Sequence, residues 1–121
     1  MTSIQDFRAR RTEGQAKLEA LDHLGIKRLL TIDTQTYKDS ADKGGLDERT
    51  KELLGLASSA VLRCDDCIIY HIERCVSLGV TRDEIVDALS VVYVVGGSIT
   101  VPHLRRAVTA LDELLAEREG S

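Results

Sequence analysis

The chain is predicted to be an all-α protein of about six helices, and three observations carry that prediction. A single proline, Pro102, interrupts 121 residues, so long stretches are free of helix breakers. Glycines punctuate the chain at Gly25, Gly44, Gly45, Gly79, Gly96 and Gly97, marking junctions between segments that carry recurring apolar residues. The one run that reads as a strand, the valine-rich residues 91–95, has no convincing second strand to pair with.

The first segment, residues 3–23, places Ile4, Phe7, Leu18 and Leu21 among many charges, and its weak apolar stripe suits an arm that packs on a neighbour. A second helix is expected over 26–38, although Thr31, Ile32, Thr34 and Thr36 are β-branched and poor helix formers. Lys43, Gly44 and Gly45 form a loop. From 46 to 62 the residues Leu46, Leu53, Leu54, Leu56, Ala57, Ala60 and Val61 approximate one helical face, with Asp47 and Glu48 placed for the first turn. The next helix, 65–78, carries Ile68, Ile69, Ile72 and Val76 and stops at Gly79, a suitable C′ residue. Thr81 followed by Glu84 is a capping box for a helix over 82–95, whose inner half is apolar nearly all round. Ser98 or Thr100 is expected to cap a last helix that has Pro102 in its first turn and runs to about 117.

One domain is expected over 1–121, with 1–23 as an arm and 46–117 as the core. The net charge of −4 argues against a general phosphate-backbone binder, and three Tyr, one Phe and no Trp supply a base-stacking platform poorly. Nucleic acid is therefore excluded as a partner. No apolar run approaches the roughly 18 residues of a membrane span, and residues 1–14 lack the apolar stretch of a secretory leader. A cytoplasmic protein without a membrane partner is expected. Three cysteines are too few for a secreted disulfide framework, so a CxxC pair points to redox chemistry or a metal.

Cys64, Cys67, His71 and Cys75 fall within about 80° of one another on a single helical stripe. Cys64 sits beside the expected helix start, where exposed N–H groups and the helix dipole favour a thiolate. Cysteines three apart in a first turn are close enough to cycle between dithiol and disulfide. His71, one turn beyond Cys67, is the natural base. If the chain reverses tightly at Leu62 and Arg63, Glu52 lies near the level of His71 and can orient it, with Glu48 in reserve.

Other readings compete. Cys64, Cys67 and His71 with Cys75, Glu52 or His103 make a candidate structural zinc set, but the four residues of the stripe extend over about 16 Å of helix, too far to meet at one ion. Cys75 alone reads as a small core hydrophobe. His103, after Pro102, suits a cap or the surface at least as well as catalysis.

The stretch from Leu46 to about Leu115 resembles the carboxymuconolactone decarboxylase superfamily, in particular its alkyl hydroperoxidase D-like branch. The matching features are Leu46-Asp47 leading into Lys51-Glu52-Leu53-Leu54-Gly55-Leu56-Ala57, Cys64-Asp65-Asp66-Cys67 with His71, Gly79 before Thr81-Arg82-Asp83-Glu84-Ile85, and Gly96-Gly97 before Pro102-His103. The resemblance implies a central helical hairpin carrying the CxxCxxxH motif, assembly as a homotrimer or homohexamer, and peroxidase or disulfide reductase activity. It also implies a proton relay through Glu52, Cys64, Cys67 and His71. One departure is visible: the best-known peroxidase of the branch has His directly before the second Cys, where this chain has Asp66. The superfamily's lactone decarboxylases typically lack the CxxC pair.

The expected function is thus a thiol-dependent oxidoreductase with Cys64, Cys67, His71 and Glu52 as catalytic residues and no bound cofactor or metal. Its substrate is expected to be a hydroperoxide or disulfide, and its electron donor a dithiol, a lipoyl-bearing or thioredoxin-like protein by analogy. Cys67 is the expected first point of attack. A non-catalytic zinc-binding or redox-sensing module is the rival reading, and a decarboxylase-type lyase using His71 or His103 is a third. For assembly, the apolar surround of residues 85–95 predicts that subunits associate to cover it.

Overall fold

The computed structural model describes residues 3–120, and among the described residues there are six α-helices and no strand. Residues 1 and 2 of the expected arm and Ser121 lie outside the described residues. The chain divides into two compact units, 1–48 and 49–121.

The first unit holds α1 (Ser3–Glu19) and α2 (Leu24–Thr36), followed by a 3₁₀ turn at Ala41–Lys43. Helix α1 stops four residues short of the expected 23, because His23 is already the N-cap of α2 and its Nδ1 accepts from the Ile26 N–H at 3.2 Å. The threonines that made α2 doubtful settle into it by turning their hydroxyls inward. Thr31, Thr34 and Thr36 each donate to the carbonyl four residues earlier, at 2.9, 3.0 and 2.7 Å. Beyond it, Asp39 accepts from the N–H of Ala41, and Gly44 takes a left-handed φ of 81° that a side chain would resist.

The second unit is built from α3 (Glu48–Val61), whose first residue lies in the preceding unit, with α4 (Asp65–Ser77), α5 (Arg82–Gly96) and α6 (Val101–Glu119). Its core gathers Leu56 and Ala60 of α3, Ile68 and Ile72 of α4, Ile85, Leu89 and Val92 of α5, and Leu111 and Leu114 of α6. Each fully buried Leu or Ile stabilises by roughly 1.5–3 kcal/mol relative to exposure. Helix α4 packs along α5 and α6, so the segment carrying the cysteines is braced by the rest of the unit.

The helix ends follow their local chemistry. Gly79, at φ 84°, closes α4 as the Val80 N–H reaches the Cys75 carbonyl and the Gly79 N–H that of Val76. Thr81 and Glu84 form both halves of the capping box of α5. The start of α6 corrects an expectation: neither Ser98 nor Thr100 caps it with a side chain. Residues Ser98–Thr100 form a 3₁₀ turn, and the Thr100 hydroxyl donates backward to the Gly97 carbonyl at 2.7 Å.

Candidate functional site

The site begins with the reversal between α3 and α4. Arg63 adopts a left-handed φ of 62°. Its N–H bonds the Ala60 carbonyl at 3.1 Å while the Cys64 N–H bonds that of Ser59 at 3.0 Å. This paired closure is a Schellman motif with arginine at the usual glycine position. Cys64 therefore ends one helix and starts the next: its Sγ accepts from the Cys67 N–H at 3.3 Å as the N-cap of α4.

Cys64 and Cys67 are joined as a disulfide, with Cα atoms 5.3 Å apart, inside the ordinary range for such bonds. Cys67 is exposed and Cys64 half-buried, so solvent reaches the residue Cys67 more readily. The reversal brings Glu52 of α3 back to His71 of α4, as the sequence suggested. Glu52 is 1% exposed and His71 7%. His71 Nδ1 and Glu52 Oε2 lie 2.7 Å apart. An ionised carboxylate only accepts, so Nδ1–H donates and Nε2 is the basic nitrogen of the ring. Arg74, one turn below Glu52's partner, holds its Nε 3.6 Å from Oε1 and supplies a counter-charge to the buried carboxylate. The Tyr70 ring meets the imidazole edge-on at a centroid distance of 5.2 Å. The reserve carboxylate, Glu48, opens α3, and its N–H donates to Asp39 Oδ2 at 3.4 Å.

Cys75 belongs to the core. It is fully buried, and burial, with a smaller push from the Glu52 charge, raises its thiol to about 12. At neutral pH it remains protonated and inert. His103 is drawn to a different partner. Its Nδ1 sits 2.7 Å from Asp65 Oδ1, while Arg106 Nη1 donates to Asp65 Oδ2 at 2.9 Å. Nothing in the sequence links Asp65 to His103 and Arg106, which stand about forty positions further along the chain. Of the further residues that could complete a zinc set, Cys75 is buried in the core and His103 pairs with Asp65. Among the described residues, no three His, Cys, Asp or Glu side chains gather as a metal cradle. No helix among the described residues is long and apolar enough to cross a membrane.

Helix α5 presents a second feature. Ile85, Leu89 and Val92 face the core, whereas Val86, Val91, Tyr93, Val94 and Val95 are exposed. An open groove of about 340 Å³ lies between α3 and α5, lined by Ala57, Val61, Leu62, Val91 and Val95 among others.

Comparison with known proteins places these features in a family context. Residues 28–110 match the model of the carboxymuconolactone decarboxylase family. An uncharacterized protein encoded in the cox locus of Paracoccus denitrificans is 32% identical over 71 residues, or 59% of this chain and 64% of its own length. The chain thus spans somewhat under two thirds of that relative. An uncharacterized Cupriavidus necator protein is 27% identical over 79 residues, 65% of this chain and 70% of its own. A Thermotoga maritima protein superimposes with a TM-score of 0.90 at 44% identity, covering 97% of this chain and 99% of that one. A second crystal structure of the same Thermotoga maritima protein, described as a carboxymuconolactone decarboxylase family protein for which a part in the antioxidative response has been suggested, gives 0.87 at 45%, covering 95% and 94%. A family member from Legionella pneumophila, in its apo form, gives 0.75 at 25%, covering 92% and 96%.

Proposed function

We propose, from the premise that this chain belongs to the carboxymuconolactone decarboxylase family, that it is a thiol-dependent oxidoreductase of the alkyl hydroperoxidase D-like branch. The observation that carries the reading is the buried Glu52–His71 pair, set one helical turn beyond the exposed Cys67 of a Cys64–Cys67 disulfide.

In the reduced protein His71 Nε2 takes the Cys67 proton, directly or through one water, and Glu52 stabilises the imidazolium that forms. The Cys67 thiolate attacks the terminal oxygen of a hydroperoxide. The O–O bond breaks, the alkoxide takes a proton from the imidazolium and leaves as an alcohol, and Cys67 becomes a sulfenic acid. The Cys64 thiol then attacks that sulfur, water leaves and the disulfide closes. An external dithiol returns two electrons and two protons and is itself oxidised to a disulfide. With a disulfide substrate the Cys67 thiolate forms a mixed disulfide that Cys64 resolves, releasing two thiols. A lipoyl-bearing or thioredoxin-like protein suits the donor role, and the need to keep the dithiol reduced favours a cytoplasmic setting. No resident metal or cofactor enters these steps.

Assembly belongs to the same reading. The exposed Val91, Val94 and Val95 and the groove beside them form an apolar face that a homotrimer or homohexamer covers. The function is tested by peroxide consumption with dihydrolipoamide or dithiothreitol as donor. Turnover is expected for the wild type and is lost in both Cys64→Ser and Cys67→Ser. Equal turnover in the three proteins refutes the cycle.

A further inference from the structure

The CxxC turn contains an unusual ingredient for a site that must form a thiolate: both residues between the cysteines, Asp65 and Asp66, are acids. A carboxylate beside a thiol opposes its ionisation, since a like charge disfavours the charged form. Asp66 is exposed to solvent, which screens it. Asp65 is half-buried, and solvent alone screens it less. Helix α6 compensates for this. Two of its side chains, His103 and Arg106, are three positions apart, about one turn, and take one oxygen of Asp65 each. Arg106 brings a permanent positive charge, and the His103 N–H fixes the orientation of the carboxylate.

We propose that Asp65, His103 and Arg106 form a charge-neutralising clasp that sets the acidity of the redox cysteines, with Asp65 and Arg106 acting as positioning residues of opposite sign. The inference deepens the thiol reading above and rests on it. The charged and titratable groups on the elements that carry or meet the CxxC turn include Asp65 and Asp66 on α4 itself, His71 with Tyr70, Glu52 and Arg74 on the hairpin side, His103 and Arg106 from α6, and Arg63 in the preceding turn. Within this set the clasp joins an anion from the CxxC turn to a fixed cation from another helix. The same two-point hold ties the first turn of α4 to α6, so the turn remains anchored when the disulfide opens.

The clasp predicts effects of opposite sign from its two charged halves. Removing the cation by Arg106→Gln leaves the carboxylate less balanced, so the Cys67 thiolate becomes harder to form. Removing the anion by Asp65→Asn leaves the cation behind, so the thiolate becomes easier to form. The double variant restores the charge balance. A purely structural role moves both single variants in the same direction and gives no such restoration.

The test is the pH profile of iodoacetamide alkylation of the fully reduced full-length protein, with Cys67 modification read by peptide mass and folding checked by circular dichroism. Near neutral pH, alkylation of Arg106→Gln is expected to slow by about threefold to tenfold and that of Asp65→Asn to quicken by a similar factor, as expected for one partly screened charge nearby. The double variant is expected within about twofold of wild type by the same reasoning. Changes of the same sign in the single variants, or no change, overturn the proposal. If Arg106→Gln does not fold, Asp65→Asn decides alone: an unchanged or slower rate overturns it. Because alkylation needs neither peroxide nor a donor, these outcomes stand apart from whether the protein turns over hydroperoxides.

Discussion

Replacing Glu52 by Gln removes one negative charge and almost no volume from the buried heart of the site. The carboxylate is 1% exposed and lies 2.7 Å from His71 Nδ1, with Arg74 at 3.6 Å on its other oxygen. The amide can still accept a hydrogen bond from Nδ1–H, so the ring keeps a partner and the fold loses little. What it can no longer do is stabilise a positive imidazole. A hydrogen bond to a charged group contributes about 1.5–3 kcal/mol, and at about 1.4 kcal/mol per factor of ten this corresponds to a loss of roughly tenfold to a hundredfold in His71-assisted thiolate formation. The assay is the rate of Cys67 alkylation in reduced protein between pH 6 and 8, beside peroxide turnover and a denaturant unfolding curve. Cys75 does not interfere, because its thiol is buried and held near 12. A folded Glu52→Gln protein that alkylates and turns over within about twofold of wild type refutes the relay.

Further expectations follow from the same geometry. Cys75→Ala should retain most of its activity while losing about 1 kcal/mol of stability, since its sulfur packs and does not react; loss of turnover in a folded variant would reassign that cysteine. Arg63→Gly should raise stability by about 1 kcal/mol, because the left-handed φ of 62° suits glycine better, and a lowered melting temperature would contradict the Schellman assignment. Val92, 1% exposed, and Val94, 80% exposed, should respond differently to a charge. Val92→Glu should prevent folding, whereas Val94→Glu should leave a folded subunit and dissociate the assembly in light scattering; a monomeric wild type, or an unaffected oligomer in Val94→Glu, contradicts the covered-face reading. Bonding to Arg49, and then to the Thr81 backbone, lowers the Glu84 carboxyl to about 2. Its folded value lies below its unfolded one, so its contribution is full above the ordinary carboxylate range and fades as pH falls toward 2. Acid unfolding of Glu84→Gln should be less steep there, and an unchanged acid limb would dismiss the pair.

Local signals in the sequence were sufficient for most of this architecture. The capping box at Thr81 and Glu84 and the stop at Gly79 are chemistries confined to four or five residues, and both form as expected. Glu52 and His71 were legible because one tight reversal relates two regular helices, so counting turns on either side matches their levels. The misses have equally physical causes. The Asp65 bonds to His103 and Arg106 reach across the rest of α4 and the whole of α5 in the chain, and no periodicity encodes the packing of α6 on α4. The expected cap on α6 failed because a hydroxyl can satisfy the preceding carbonyl as well as a forward N–H, and Thr100 takes the former. For α5 the apolar surround is legible in the sequence, but pattern alone does not say which valines face inward; Val92 does, and Val91, Val94 and Val95 do not.

Whether Cys64 and Cys67 form a peroxide-driven redox couple with Cys67 attacked first is decided by adding one equivalent of cumene hydroperoxide to the reduced protein. Intact and peptide mass spectrometry would follow the cysteines. Loss of the two thiols of Cys64 and Cys67, a peptide pair linked between them, and Cys75 still reduced are expected. In Cys64→Ser a sulfenic acid trapped at Cys67 by dimedone is expected. Unoxidised cysteines after exposure, or a sulfenic acid formed at Cys64 but not at Cys67, would contradict this reading.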